Sequence, residues 1–167
     1  MKPEIAILGA GYVGMPLAHV FAGRGKTVVL VDVNRQVVDA INRGESHIDD
    51  VPSGSLKKLV DDGHIAATTE YDALKDADAI LIALPTPLSS QREPDLTILE
   101  GAVEQIVPRL RKGQLVVLES TTYPGTTRER LQPILEQSGL KAGKDFHLAF
   151  SPERVDPGRT DWTTRNT

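Results

Sequence analysis

Three glycines near the start of the chain have the spacing of a phosphate-binding turn. Gly9, Gly11 and Gly14 form the pattern GxGxxG within "ILGAGYVG", directly after an apolar run with the composition of a strand. In such a turn the first glycine allows a tight bend, the second lets a pyrophosphate approach the backbone, and the third lets helix and strand pack closely. N–H groups of the following helix then face the phosphates. The motif predicts a dinucleotide site that includes Tyr12 and Val13.

An acidic residue follows the second apolar run at the distance expected of a ribose-binding carboxylate. Asp32 lies 18 residues after Gly14 (32 − 14), and a carboxylate there can accept hydrogen bonds from the adenosine ribose hydroxyls. A 2′-phosphate would meet like charge at this position, although Arg35 offers partial compensation. These residues predict NAD rather than NADP as the cofactor. The alternative is a glycine-rich turn with an unrelated acidic residue after it.

Polar loops follow three later strands. "ALPTPL" places Thr86 between Pro85 and Pro87, "ESTTYPGTT" places Thr121 after the fifth strand, and "SPERVDPG" places Glu153 after the sixth. Ligands of open α/β sheets bind outside the carboxyl ends of the strands. Pro85, Thr86 and Thr121 are therefore candidates for cofactor contacts. Threonines after a strand are also ordinary β-rich residues, and Glu153 alone could be a turn residue.

Short β-rich apolar runs alternate with helical patterns along the chain, which is typical of βαβ units and a parallel sheet. We predict a Rossmann-type α/β domain over residues 1–167, with a doubly wound, mostly parallel sheet of about six strands and helices on both faces. The strands are expected at Glu4–Leu8, Thr27–Val31, Ile65–Thr68, Ala79–Leu84, Gln114–Glu119 and His147–Phe150.

Apolar residues at spacings of three and four predict helices between these strands. One stripe runs from Val13 to Phe21, and a second runs from Leu96 to Leu110. A short third stripe lies at Leu131–Leu135, where Pro133 is expected to mark a first turn or a kink. The expected capping residues are Asp95 for the second of these helices and Thr126 or Thr127 for the third.

Composition argues against several other classes of protein. The chain has 167 residues, a formal net charge of −4, no cysteine and four scattered histidines. A mildly acidic chain without a basic stripe is not expected to bind nucleic acid, and the absence of ligand spacing argues against a metal site. The uncharged run Ile5–Ala18 follows Glu4 and is interrupted by glycines and Pro16, so we expect no membrane segment and a cytoplasmic location.

Four motifs in this order resemble the nucleotide-sugar dehydrogenases, the UDP-glucose and GDP-mannose dehydrogenase group. They are "ILGAGYVGMPLA", "LPTPL" with "REPDL", "ESTTYPGTT" and "SPERVDPG", and the details look most like the UDP-N-acetylglucosamine 6-dehydrogenase branch. The resemblance implies a UDP-sugar substrate whose C6 alcohol is oxidised to a carboxylate. The oxidation would consist of two hydride transfers to NAD, with an aldehyde and a cysteine thioester as intermediates. The whole enzyme would be a homodimer or larger.

The resemblance also implies roles for individual residues. Thr86 and Thr121 would touch the cofactor or the reacting centre, with Thr121 catalytic, and Glu153 would act on the water that hydrolyses the thioester. Related enzymes commonly carry a second glutamate where this chain has Pro157, so either Asp156 replaces it or the role is missing. Because the chain has no cysteine, we expect the N-terminal cofactor domain of a longer enzyme, without the substrate-binding and C-terminal domains and unable to complete the oxidation alone.

Two other functions remain open at this point. A non-catalytic regulatory domain that senses NAD would explain the missing cysteine, but it would not require the hydroxyls and carboxylate at the later strand ends. An adenosylmethionine-dependent methyltransferase also uses a glycine-rich turn and an acidic residue after its second strand. It would not explain Gly14 or the later loops, and NAD binding without adenosylmethionine binding would exclude it.

Overall fold

A computed structural model describes residues 2–88 and 94–152, and within these ranges the strands form one parallel sheet. The strand order is β3-β2-β1-β4-β5-β6, and each neighbouring pair is parallel. This order reverses between β1 and β4, as in a doubly wound fold, and it confirms the predicted Rossmann-type sheet. The strands are β1 (Ile5–Leu8), β2 (Val28–Val31), β3 (Ile65–Thr68), β4 (Ala79–Ile82), β5 (Leu115–Leu118) and β6 (His147–Phe150).

The central strands are continuous apolar runs because helices cover both faces of the sheet. β1 and β2, with the sequences IAIL and VVLV, are buried at every position. The edge strands differ, since β3 alternates between buried and half-buried positions while His147 and Phe150 of β6 are exposed. The predicted strand bounds agree to within two residues. Leu84 and Glu119, expected inside strands, lie just beyond the ends of β4 and β5.

The helices divide between the two faces of the sheet, as predicted. α1, α2 and α3 pack into one apolar cluster, and α4 and α5 pack into the other. Periodicity had located α1, α4 and α5 but had not delimited α2 or α3. No helix within the described ranges is long and apolar enough to cross a membrane. The helices are α1 (Gly14–Gly23), α2 (Arg35–Asn42), α3 (Ser53–Asp61), α4 (Thr97–Ile106) and α5 (Gln132–Leu135).

Helix starts differ in detail from the expected caps. The Asp95 carboxylate accepts the N–H of Thr97 at 2.9 Å, so the expected hydrogen bond forms although Leu96 is the residue that flanks α4. Hydrogen bonding from the Thr97 side chain and, second, from this N–H lowers the pKa of Asp95. The prediction that Thr126 or Thr127 caps a helix is wrong, because Gly125 occupies that position and the Thr126 hydroxyl donates to the carbonyl of Tyr123.

Pro133 lies within the first turn of α5, as the sequence predicted. A π-helical turn at Thr126–Leu131 leads directly into α5, and a 3₁₀ turn at Glu136–Ser138 follows it. Proline has no backbone N–H and cannot continue the α-helical ladder backwards. The π-helical turn therefore lies directly before α5, where Pro133 interrupts the regular α-helical hydrogen bonds.

Two amide side chains form hydrogen bonds with backbone groups at places away from the carboxyl ends of the strands. Asn42, at the end of α2, donates to the carbonyl of Ala67 at 2.9 Å and accepts its N–H at 2.8 Å, so it pairs with the open side of β3. Gln114, fully buried before β5, donates to the carbonyls of Leu74 and Ala77 and accepts the N–H of Arg111. These contacts fix the outer strand and the β3–β4 connection.

Candidate functional site

The carboxyl ends of the six described strands lie along one side of the sheet, which we call the carboxyl edge. The glycine loop, Gly9–Gly14, joins β1 to α1 there. Gly9 has a φ of 95°, and a Cβ on it would lie 2.5 Å from the carbonyl oxygen of Ala83. A Cβ on Gly14 would overlap the carbonyl oxygen of Gly9 and lie 3.2 Å from the side chain of Ile7. The tight turn and the close packing of helix on strand therefore require both glycines.

Gly11 differs from its two neighbours in the motif. A Cβ built on it meets nothing within 4 Å, and its φ lies outside the positive region that favours glycine. Packing between described residues therefore gives no reason for glycine at this position. Open space in front of an exposed backbone is what a pyrophosphate needs for close approach.

The amino end of α1 opens onto the same space. Val13 is its flanking residue, and among the described residues no side chain caps this end and no acidic side chain lies in the first turn. The N–H groups at the start of a helix carry partial positive charge and attract anions. The loop and the helix start together fit a phosphate group, with Tyr12 61% exposed beside them.

Asp32 connects the end of β2 to the glycine loop. Its Oδ2 accepts the N–H of Ala10 at 2.8 Å, and its Oδ1 accepts the N–H of Asn34 at 2.9 Å. A carboxylate offers about four acceptor positions, so both oxygens retain capacity for ribose hydroxyls. Arg35, the first residue of α2, is exposed and forms no ion pair with another described residue.

The loops after β4 and β5 are joined by hydroxyl groups. Thr86 Oγ1 donates to the carbonyl oxygen of Thr121 at 2.5 Å. Toward a ligand, Thr86 therefore presents an acceptor in this arrangement. Thr121 itself is exposed, and Pro85 is exposed beside Thr86.

Ser120, the residue before Thr121 in "ESTTYPGTT", was not predicted as a site residue, yet its hydroxyl forms two hydrogen bonds to the end of the neighbouring strand. It is 4% exposed, accepts the N–H of Leu84 at 2.9 Å and donates to the carbonyl of Ile82 at 3.2 Å. Glu119, directly before it, is 8% exposed and was not selected as a candidate. The signal available in sequence was the step from the apolar run LVVL to a charged and a hydroxyl residue.

Large apolar side chains are exposed along the carboxyl edge. Val33 is 80% exposed after Asp32, and Leu88 is 66% exposed after the β4 loop. Exposed apolar surface beside polar groups is available to a ligand or to another part of a protein. Apart from Tyr12, none of the residues with this exposure was predicted as a site residue. The exposed set consists of Tyr12 after β1, Val33 after β2, Leu88 after β4, Tyr123 after β5 and Phe150 at the end of β6.

The charge of Asp32 also affects Tyr71, which follows β3. Burial raises the pKa of the Tyr71 phenol, and the nearby Asp32 carboxylate raises it further. The guanidinium of Arg109 lies 5.9 Å from the centre of the tyrosine ring, in a cation–π arrangement. Tyr71 thus follows β3 within electrostatic range of the Asp32 carboxylate.

The predicted carboxylate Glu153, with Asp156 and Pro157, lies outside the described residues, so its role stays a prediction. Within the described ranges, no group of three or more histidine, cysteine, aspartate or glutamate residues could hold a metal ion. The structure therefore brings together the glycine loop, Asp32, Thr86 and Thr121 at one edge of the sheet.

Residues 3–166 match the model of the UDP-glucose/GDP-mannose dehydrogenase family, NAD binding domain. The chain is 42% identical over 165 residues to the UDP-N-acetyl-D-mannosamine dehydrogenase of Salmonella typhi, covering 93% of this chain and 38% of that one. It is 38% identical over 156 residues to the UDP-N-acetyl-D-glucosamine 6-dehydrogenase of Pseudomonas aeruginosa, covering 93% and 36%.

A solved structure of GDP-mannose dehydrogenase from Pseudomonas aeruginosa, in a ternary complex, superposes with a TM-score of 0.88. Its identity to this chain is 33%, and the match covers 92% of this chain and 37% of that one. The chain thus spans less than two fifths of the length of each of these relatives.

Proposed function

The chain belongs to the UDP-glucose/GDP-mannose dehydrogenase family, as its NAD-binding domain, and we propose that it binds the NAD that accepts hydride in a UDP-sugar 6-dehydrogenase. The observation that carries the proposal is Gly11, whose open surroundings suit a pyrophosphate. Asp32 then binds the adenosine ribose, and the amino end of α1 binds the phosphates. NAD supplies the hydride acceptor in such an enzyme.

Thr86 and Thr121 are proposed to border the other half of the cofactor and the reacting carbon. The sheet order supports this arrangement, because the glycine loop stands on β1, Asp32 stands on β2, and the two threonines stand beyond β4 and β5 on the opposite side. A dinucleotide whose adenosine lies over β2 extends across β1 toward β4. Pro85 and the hydrogen bond from Thr86 to the Thr121 carbonyl hold that border in shape.

The later steps of the proposed reaction need groups that the described residues do not provide. The sugar C6 alcohol loses two hydrides in turn, through an aldehyde and a thioester on a cysteine, and the chain contains no cysteine. Glu153 is proposed to take a proton from the water that hydrolyses the thioester. We therefore expect no net oxidation by this chain alone, and a homodimer or larger assembly for the whole enzyme.

The substrate is proposed to be a UDP-linked 2-acetamido sugar. The two relatives compared by sequence carry such sugars in their names, one the mannosamine and the other the glucosamine epimer, and their identities to this chain of 42% and 38% exceed the 33% of the GDP-mannose dehydrogenase. The relatives named as dehydrogenases favour the enzyme over a regulatory NAD sensor, and the NAD-binding family domain favours it over a methyltransferase.

Calorimetry on the purified chain tests the cofactor assignment. We expect saturable binding of NAD, binding of NADP weaker by roughly tenfold or more because of like charge at Asp32, and no binding of adenosylmethionine. Tighter binding of NADP than NAD would contradict the role given to Asp32. Binding of adenosylmethionine alone would overturn the proposal.

A chimera tests the enzymatic role. Residues 1–152 of this chain would replace the part of the Salmonella typhi relative aligned with them, and the relative's own sequence would be retained from the position that follows the counterpart of Pro152. We expect NADH formation with the UDP-N-acetylmannosamine substrate of that relative, and none from this chain alone. A chimera that folds and binds NAD but forms no NADH would reject the catalytic assignment, and turnover by this chain alone would reject the need for an outside cysteine.

A further inference from the structure

We propose that Ser120 is a positioning residue that sets the loops bordering the nicotinamide half of the cofactor. The inference rests on the proposed function, because it concerns the same site. It starts from the position of Ser120, which lies two residues beyond β5 and is 4% exposed. At that depth a hydroxyl needs partners of its own.

The partners of Ser120 belong to the neighbouring strand end. The N–H of Ala83 still bonds to the carbonyl of Leu8, but the next N–H, that of Leu84, has left the sheet and donates to Ser120 Oγ. The Ser120 hydroxyl donates in turn to the carbonyl of Ile82. One side chain therefore takes the place of the missing ladder bond where the β4 loop begins.

The two loops meet again immediately beyond this contact. Thr86, two residues after Leu84, donates its hydroxyl to the carbonyl of Thr121, the residue after Ser120. The path from Leu84 to Thr86 is thus fixed at both ends by the segment Ser120–Thr121. Loss of the Ser120 hydroxyl would leave the Leu84 N–H without its acceptor and release the first of these two attachments.

The effect should be confined to one half of the ligand. Phosphates and adenosine ribose are assigned to the glycine loop and Asp32, on β1 and β2, while Ser120 acts on loops after β4 and β5. ADP-ribose contains the first half and lacks the nicotinamide. A positioning role predicts that a Ser120 variant loses affinity for NAD but keeps its affinity for ADP-ribose.

The test compares Ser120→Ala with the wild-type chain by calorimetry with NAD and ADP-ribose. We expect NAD to bind roughly three- to tenfold more weakly, ADP-ribose to change by less than about twofold, and Ser120→Thr, which keeps the hydroxyl, to restore NAD affinity. Ser138→Ala is the matched control. Ser138 also donates to a carbonyl, that of Leu135, and accepts an N–H, that of Leu140, at the end of the Glu136–Ser138 turn.

Three results would overturn the inference. Equal weakening of NAD and ADP-ribose would reduce Ser120 to a general stabilising residue, and unchanged NAD binding would remove its role. The same NAD loss in Ser138→Ala would show a non-specific effect. If Ser120→Ala does not fold, Ser120→Cys, which fills the site but replaces the hydroxyl by a weak donor and acceptor, is compared with the same two ligands and is expected to show the same selectivity. Failure of the wild type to bind either ligand would instead reject the proposed function.

Discussion

The Asp32 carboxylate accepts a hydrogen bond from the backbone N–H of Ala10 at 2.8 Å, so the acidic residue at the end of β2 holds the glycine loop at the end of β1. The second oxygen accepts the N–H of Asn34 and shapes the start of α2. Asp32 therefore holds the glycine loop in place in addition to its proposed contact with the ribose. A substitution there should affect both halves of the adenosine diphosphate site.

Replacing Asp32 by asparagine keeps the size of the side chain but removes its charge and one acceptor oxygen. The amide NH₂ would face either the Ala10 N–H or the Asn34 N–H, which cannot accept it. We expect NAD affinity to fall roughly tenfold or more, since hydrogen bonds to charged groups are worth about 1.5–3 kcal/mol. Calorimetry with NAD and ADP-ribose should show the same loss for both ligands. Asp39→Asn, an exposed change on α2, serves as the control, and equal affinity in the Asp32 variant would refute the assignment.

Gly11 and Gly14 should respond differently to the same added methyl group. Gly11→Ala is expected to change the free energy of unfolding by less than about 1 kcal/mol, because a Cβ there meets nothing within 4 Å. It should nevertheless weaken NAD binding, because the methyl group occupies the approach of the pyrophosphate. Gly14→Ala should lower stability by about 1–3 kcal/mol or more through overlap with the Gly9 carbonyl.

Urea unfolding and calorimetry on the two glycine variants separate these effects. Normal NAD affinity in a folded Gly11→Ala chain would show that the loop does not cradle phosphate. Full stability of Gly14→Ala would show that helix and strand can move apart.

The sheet could be predicted from sequence because its central strands are apolar on both faces and bounded by polar loops. The ends of the strands were less accurate, since the apolar run continues through Leu84 after the ladder has ended at Ile82. The prediction of a cap at Thr126 was wrong for a different reason. Gly125 adopts a φ of 96°, so the chain enters the helix through a glycine turn, and threonine capping preference had no part in it.

Sequence predicted only the part of the candidate site that a local motif specifies. The glycine spacing and Asp32 belong to a local motif, so their place at the carboxyl edge followed from the pattern. Ser120 could not be ranked above its hydroxyl neighbours, because its partner Leu84 is 36 residues away. The open space at Gly11 is also a property of the folded loop and cannot be read from the letters.

Asn42 should contribute to stability without contributing to NAD binding. Its amide exchanges two hydrogen bonds with Ala67 on the outer strand β3. Asn42→Ala removes both, and we expect a loss of about 1–3 kcal/mol in the free energy of unfolding. Asn42→Asp keeps the acceptor for the Ala67 N–H but places an acceptor-only oxygen against the Ala67 carbonyl, so it should not restore the lost stability. Urea titration followed by circular dichroism measures the change, with Arg43→Ala on the neighbouring exposed position as control. An unchanged unfolding midpoint in Asn42→Ala would show that the outer strand does not need this pairing.

His19 should make stability depend on pH. Burial on α1 lowers its pKa, and its Nε2 lies 2.9 Å from Ser55 Oγ. Because the Ser55 hydroxyl donates its proton to the Pro52 carbonyl, His19 Nε2 must be the donor in this contact. The folded state thus favours the neutral ring with its proton on Nε2.

The sign of the effect follows from the lowered pKa. Above the unfolded value of about 6.5 both states are neutral and the contribution of His19 is complete. As the pH falls below that value, the unfolded chain takes up the proton first, so stability decreases until the lowered folded pKa is passed.

His19→Gln keeps an N–H donor for Ser55 and removes the titration, so its stability should fall less between about pH 7.5 and pH 5.5. Urea midpoints at several pH values measure the slope, and His47→Gln, at an exposed position, should retain the wild-type slope. A wild-type slope in His19→Gln as well would assign the pH dependence to other groups.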